Sequence, residues 1–339
     1  MSVNIMTMKR MLMIAALLLA GAVCAGAQEL KFNPGKEFKI VHFTDLHFVS
    51  GRPEECAKTF ARMDWIVAEE KPDFIAITGD VIFARPAKAM LQSILDRLDS
   101  YQVPFAIVYG NHDAEQEMSR PEMSGMIAGA KYSVNTLNDA GELADLRISV
   151  APSAAGGPLP LDIYMMDSHD YSRLPQVGGY AWFSLDQILW LRDECERAKA
   201  ANGGVPVPSM AFFHIPLPEF FYAWVEKESA SHNSVRGLRG EFGGHPRINS
   251  GMFASMLETG SMMAVCCGHD HNSDYVIPYY GIALVYGRFS GDDTVYNSLP
   301  HGIRVYSVKE GERGFRTWIR EEDGRIVGRC HIVDGDFEK

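Results

Sequence analysis

The 339-residue chain has no surplus of basic residues: 32 Lys and Arg stand against 43 Asp and Glu, for a formal charge of −11. Sequence-independent binding to nucleic acid draws on Lys and Arg contacts to phosphate, so this balance argues against a polynucleotide partner. Internal repeats and low-complexity tracts are missing, which excludes solenoids and disordered polar stretches. After residue 27 no segment is apolar for the roughly 20 residues that a membrane helix needs. Cysteine is sparse, with six in all, no CxxC pair and no regular spacing, so neither a disulfide framework nor a zinc-thiolate site is indicated.

The first 27 residues carry Lys9 and Arg10, then an uncharged run from Met11 to Val23, then Ala25-Gly26-Ala27 before Gln28. This is the pattern of a secretory signal cleaved near Ala27, which predicts an exported protein, periplasmic or secreted. A lipid anchor at Cys24 is disfavoured by Val23, where a lipobox has a small residue. Residues 28–339 then form a single domain that keeps Cys56, Cys195, Cys266, Cys267 and Cys330. Cys266 and Cys267 end an apolar run, where packing is the expected role.

Short apolar runs that stop at a polar cluster recur along the chain. Phe38 to Phe43 ends at Thr44-Asp45-Leu46-His47, Phe74 to Ile77 at Thr78-Gly79-Asp80, and Val103 to Tyr109 at Gly110-Asn111-His112-Asp113. Ile163 to Met166 ends at Asp167-Ser168-His169, Met210 to Phe213 at His214, and Met262 to Cys267 at Gly268-His269-Asp270-His271. Continuous apolar runs of this length predict strands buried on both faces. Helical stripes lie between them: Cys56, Phe60, Met63 and Val67; Met90, Leu91, Ile94, Leu95 and Leu98; and a helix opened by the Ser184/Gln187 capping box. Alternating strand and helix implies an α/β fold with a largely parallel sheet, whose ligands bind beyond the carboxyl ends of the strands. Ile282 to Tyr286, Ile303 to Val308 and Phe315 to Ile319 predict antiparallel strands completing a second sheet. The stretch between His214 and His269 is expected to be an irregular excursion over the site.

Singly, a His or Asp at a strand end is more often a turn residue than a ligand. Together, Asp45-x-His47, Gly79-Asp80, Gly110-Asn111-His112-Asp113, His214 and Gly268-His269-x-His271 converge on one sheet edge. Two metal ions about 3.5–4 Å apart can clamp the attacking and leaving oxygens of a phosphoryl displacement, and imidazole and carboxylate ligands suit Fe, Mn or Zn. Side-chain alternation in an extended segment would put Asp45 and His47 on one side. Gly79 and Gly110 permit close backbone approach.

This ordered set resembles the calcineurin-like metallophosphoesterases. Tyr109-Gly110-Asn111-His112-Asp113-Ala114-Glu115, His214-Ile215-Pro216-Leu217-Pro218, Gly268-His269-Asp270-His271-Asn272, Tyr286-Gly287-Arg288 and Thr317-Trp318-Ile319-Arg320 extend the likeness to the purple-acid-phosphatase-like branch. The resemblance implies a four-layer α/β/β/α sandwich of two mixed β-sheets. It implies that Asp45, His47 and His271 hold one metal, Asn111, His214 and His269 the other, and that Asp80 bridges them. A metal-bridging hydroxide would attack phosphorus, His112 would protonate the leaving oxygen, and Asp113 would orient or charge His112. Coloured members carry a metal-binding tyrosine three residues after the bridging aspartate. Here that position is Phe83, which predicts a colourless or weakly coloured protein.

Phosphomonoester hydrolysis is the activity expected. A phosphodiesterase acting on cyclic nucleotides or phospholipid head groups is the alternative, followed by an inactive relative that binds phosphate ligands. Asn272, Arg288 and His169 are candidates for substrate contact. His42 is read as structural, and His232, His245, Arg236, Arg239 and Arg247 as solvated loop charges. Phe220, Phe221, Tyr222 and Trp224 either line a substrate wall or pack. Two divalent ions outweigh the carboxylates of Asp45 and Asp80 locally, so an acidic chain can still draw in a small phosphate ester.

Overall fold

The computed structural model describes residues 29–230, 234–292 and 294–338. The expected signal segment, with Cys24, and His232 lie outside the described residues. Two sheets form the centre. In the first, the order is β13 (Asp336–Phe337), β12 (Ile326–Val333), β11 (Gly314–Glu321), β10 (Gly302–Lys309), β1 (Glu37–Phe43), β2 (Phe74–Thr78) and β3 (Phe105–Val108). In the second it is β4 (Leu146–Val150), β5 (Leu161–Met165), β6 (Ser209–Phe212), β7 (Met262–Cys267), β9 (Ile282–Tyr286) and β8 (Val276–Tyr279). The strands β1, β2 and β3 run parallel, as do β5, β6, β7 and β9, while the outer strands pair antiparallel.

The apolar runs explain the layers, because alternate residues of one strand face opposite sides. Phe38, Ile40, Phe74, Ala76, Ala106 and Val108 pack between the sheets against Ile163, Met165, Met210, Phe212, Ala264 and Val285. Their neighbours Val41, Phe43, Ile75, Ile77 and Ile107 face outward onto α1 (Pro53–Glu70) and α2 (Ala87–Ser100). On the far side, Tyr164, Ala211, Val265 and Cys267 meet α4 (Leu185–Ala201), α5 (Pro218–Ala230) and α6 (Met252–Thr259). The result is the four-layer α/β/β/α sandwich. The capping box at Ser184 and Gln187 opens α4, and a second one at Ser119 and Glu122 opens α3 (Arg120–Gly129).

Two expectations need correction. The late antiparallel strands do not complete one sheet. Ile282–Tyr286 joins the second sheet parallel to β7, whereas β10 and β11 pair beside β1. The excursion before His269 is only partly irregular, since α5 and α6 lie within it. Phe220, Ala223, Met252 and Met256 are buried against the second sheet, so burial of one apolar face makes these segments helical. Packing is therefore the role of Phe220, whose ring meets Tyr275 and Tyr286.

Candidate metal centre

The donors follow the carboxyl ends of buried strands: Asp45 and His47 after β1, Asp80 after β2, Asn111 after β3, His214 after β6, and His269 and His271 after β7. Period-two alternation is not what brings them together. The backbone is left-handed at Asp45 (φ 55°), His47 (φ 42°), Asp80 (φ 48°) and His269 (φ 75°), so these segments turn instead of running extended. Such φ values in non-glycine residues cost on the order of 1–3 kcal/mol each and persist only where the surroundings enforce them. Here Asp45 N donates to Gly79 O at 3.2 Å and His47 N to Asp80 O at 2.9 Å, stitching one turn to the next. The glycines permit that contact, since a Cβ on Gly110 would stand 2.2 Å from Asp80 Oδ1 and one on Gly268 1.8 Å from Thr44 Oγ1.

Two donor groups result, and they share Asp80. In the first, Asp45 Oδ1 lies 3.4 Å from His271 Nε2, and His47 Nε2 lies 3.3 Å from His271 Nε2 and 3.6 Å from Asp80 Oδ2. In the second, Asp80 Oδ2 lies 3.2 Å from His214 Nε2, which is 3.2 Å from His269 Nδ1. Asp45 Oδ1, Asp80 Oδ2 and Asn111 Oδ1 are buried and accept no hydrogen bond among the described residues. His214 Nδ1 donates to Thr78 O at 2.8 Å and His271 Nδ1 to Tyr296 O at 2.7 Å, which leaves both Nε2 lone pairs directed into the groups. Imidazole lone pairs facing one another at 3.2–3.3 Å repel unless a cation or proton stands between them. This cluster of oxygen and nitrogen donors is able to bind two metal ions.

The electrostatics agree with that reading. Burial pushes Asp45 and Asp80 up, but His271 and His214 respectively outweigh it and hold both carboxyls well below the usual range. Burial takes His47 down to about 4 and His269 to about 3, favouring the neutral, ligating form. For His214 burial acts downward and Asp80 overrides it, lifting the imidazole to about 10 in the absence of a cation. Asp270, between the two histidines, is turned away and accepts from Tyr286 Oη and from Gly244 N.

Asn111 and His112 are tied into this frame in part by side chains to which the sequence assigned no role. His112 N donates to Asp80 Oδ1 at 2.8 Å, and its ring Nδ1 donates to Glu115 Oε2 at 2.8 Å. Its Nε2 makes no hydrogen bond among the described residues, and the ring lies 5.6 Å from that of His47. Tyr171 Oη accepts from Asn111 Nδ2 at 3.1 Å and donates to Glu115 Oε1 at 3.0 Å. Tyr180 presses edge-on against His269, and Tyr296 stacks on His271. Glu115 was detectable as the carboxylate three residues after His112, one helical turn away. Tyr171, Tyr180 and Tyr296 give no local signal, because only the fold brings them near.

Asp113 does not orient His112. It is buried, and its oxygens accept from Val81 N, Ile82 N and Gly110 N, so it braces the two loops behind Asp80. Arg288 is buried and engaged with Asp274, Glu321 and Pro300 O, which leaves it a structural ion pair and not a substrate contact. Asn272 is likewise committed, with Oδ1 accepting from Ser298 and its N donating to Glu241. His169 donates to Gln187 Oε1 and lines a cavity of about 540 Å³ that shares Tyr171 with the metal centre. His42 sits between Thr78 and Tyr306 inside the fold, as expected. Of the loop residues, His245 bonds Pro246 O and Arg247 bonds Val177 O.

Comparison with known proteins adds three findings. The family described as calcineurin-like phosphoesterase matches residues 38–273. The chain is 31% identical over 294 residues to an Arabidopsis thaliana protein named probable inactive purple acid phosphatase 29, covering 78% of this chain and 74% of that one. It is 28% identical over 331 residues to phosphatase DCR2 of Saccharomyces cerevisiae, covering 88% and 56% respectively. Among solved structures, a dimetal phosphatase from Danio rerio superposes with a TM-score of 0.59 at 13% identity, covering 87% of this chain and 98% of that one, a likeness of fold.

Proposed function

The chain belongs to the calcineurin-like phosphoesterase family, a phosphate-ester hydrolase by that membership, and from that premise we propose that it hydrolyses small phosphomonoesters at a dinuclear metal centre. The observation that carries this reading is the pair of donor groups sharing Asp80. Asp45, His47 and His271 would hold one ion and Asn111, His214 and His269 the other, with the shared Asp80 available to both. Two ions so held would polarise the phosphoryl oxygens and lower the pKa of water for in-line attack on phosphorus.

The remaining work falls to the chain's own side chains. His112 delivers a proton from Nε2 to the leaving oxygen, a role suited to imidazole chemistry near neutral pH. Glu115 fixes the ring through Nδ1, which leaves Nε2 as the edge that faces the leaving oxygen. Tyr171 holds the Asn111 amide so that Oδ1 faces the second group. Asp113 keeps the Asp80 and Asn111 loops in register. We further read residues 28–339 as one domain exported after cleavage near Ala27.

A second reading comes from the Arabidopsis relative, whose name calls it probably inactive: the chain could bind phosphate compounds without turning them over. Against it, all seven donors and His112 are present here. The deciding experiment reconstitutes purified protein separately with Mn, Zn and Fe and assays nitrophenyl phosphate beside bis-nitrophenyl phosphate. Monoester turnover supports the proposal, diester preference replaces it with a phosphodiesterase, and no turnover with any metal leaves the binding protein.

A further inference from the structure

Large aromatic rings stand open to solvent around the donor groups: Phe83 at 43% exposure, Tyr171 at 41%, Tyr296 at 57% and Phe242 at 88%. Each is fastened to the donor shell. The Phe83 ring lies edge-on to His112 at 5.6 Å, and Tyr296 stacks on His271 at 4.4 Å. Tyr171 stacks on Tyr180 at 5.7 Å, and Tyr180 meets His269 at 4.5 Å. Phe242 rides on a loop anchored on both sides: Glu241 accepts from Tyr296 Oη and Asn272 N, and Gly244 N donates to Asp270. A Cβ on Gly244 would sit 2.3 Å from His269 Nε2, so this loop lies against the donors themselves. Arg239 holds the Phe242 ring from one direction, 5.6 Å from its centroid.

Leaving large apolar rings in water forgoes burial that folding otherwise gains, and converging exposed apolar surface marks a binding site. Three of these rings are linked by ring contacts to His112, His269 and His271, and the Phe242 loop lies against His269, so they stand beside the donors that take the phosphoryl group, where the alcohol half of the ester must lie. Two of them are held rigid, since Tyr171 Oη donates to Glu115 and Tyr296 Oη to Glu241. Fixed rings offer π-faces and edges to a planar group at little entropic cost. The same two carboxylates disfavour an anionic leaving group at this rim.

We infer that the site selects phosphate esters of neutral aromatic alcohols, with Phe83, Tyr171, Phe242 and Tyr296 as the aromatic collar that receives the ring. This rests on the phosphatase reading for its chemistry, and the test separates the two. Metal-loaded protein is titrated by calorimetry with benzylphosphonate and with cyclohexylmethylphosphonate, which are alike in size and charge and cannot be hydrolysed. Turnover of nitrophenyl phosphate is measured in parallel.

Benzylphosphonate is expected to bind roughly three- to tenfold more tightly, the range of one good aromatic contact. The Phe242→Leu and Tyr296→Leu proteins, altered at exposed positions and checked for unchanged metal content, should lose that ratio. Equal affinity for the two phosphonates overturns the aryl preference whether or not the enzyme turns over nitrophenyl phosphate. So does a ratio that survives in both variants, or failure of either ligand to bind. Absence of turnover with the preference intact overturns the phosphatase reading alone.

Discussion

The hydrogen bond between His112 and Glu115 offers the sharpest test of the proposed proton transfer. Glu115→Gln removes the charge that faces His112 Nδ1 while keeping an amide oxygen for Tyr171 Oη. A hydrogen bond to a charged partner is worth about 1.5–3 kcal/mol when shielded. This one is 2.8 Å long, with side-chain exposures of 35% and 36%, so solvent screening reduces it to about 1 kcal/mol. A loss of that size in the transition state lowers kcat about fivefold. The loss should appear only where the leaving oxygen needs a proton. An alkyl phosphate should therefore slow about fivefold, while nitrophenyl phosphate, whose leaving group departs unprotonated, should barely change. Metal content should stay at the wild-type value, because Glu115 touches Asn111 only through Tyr171. Equal loss on both esters, or loss of metal, would refute the argument that Glu115 acts through His112.

Further outcomes follow from the same geometry. His112→Ala should retain two metals by elemental analysis and lose roughly 10²–10⁴-fold in rate on alkyl phosphates, the span of general-acid catalysis. Gly268→Ala places a Cβ 1.8 Å from Thr44 Oγ1 and 2.7 Å from Asp45 Oδ2, so the Asp45 turn must move; a metal titration should show one site weakened at least tenfold. Asp145→Asn tests linkage: burial lifts the Asp145 carboxyl from 3.8 to about 6, so its contribution is full below pH 4 and is lost as pH rises through 6. The variant should match wild type in unfolding free energy at pH 4 and exceed it at pH 7.5, by at most about 3 kcal/mol in denaturant titrations; a gain that is flat with pH would contradict this. Chelation should lower Tm by several degrees, since each site at 100 times its Kd contributes about 2.7 kcal/mol, and metal removal without change in Tm would show that the donor groups are not coupled to folding.

Much of the fold was legible because its strands are hydrophobic on both faces. Phe74-Ile75-Ala76-Ile77 reads as one apolar run precisely because Phe74 and Ala76 fill the space between sheets while Ile75 and Ile77 meet α2. Sheet membership was not legible. Ile303 to Val308 and Ile282 to Tyr286 have the same local texture, and only pairing with β1 or β7 distinguishes them. The helices α5 and α6 were hidden for a different reason. Gly237, Gly240, Gly243, Gly244 and Gly251 break that stretch, and helical burial there depends on the second sheet being present to receive Phe220 and Met256.

The site divides along a similar line. Its donors could be read from sequence because they sit at chain-adjacent positions after strands, where spacing along the chain survives folding. Its supporting residues could not, since Tyr171 and Tyr296 reach the donors across separations that no local pattern records. The errors point the same way: Asp113 and Arg288 adjoin the motifs in sequence, yet both are consumed by backbone and ion-pair contacts that hold the motifs in place. The donors also come from both sheets, Asp45, His47, Asp80 and Asn111 from the first, and His214, His269 and His271 from the second. A centre built across that seam needs the sheet edges held within a few tenths of an ångström. The left-handed turns at Asp45, Asp80 and His269, and the glycines packed against them, supply that constraint. Motif neighbours braced against backbone are thus the condition for the donors to meet, which is why proximity in sequence predicted participation but not role.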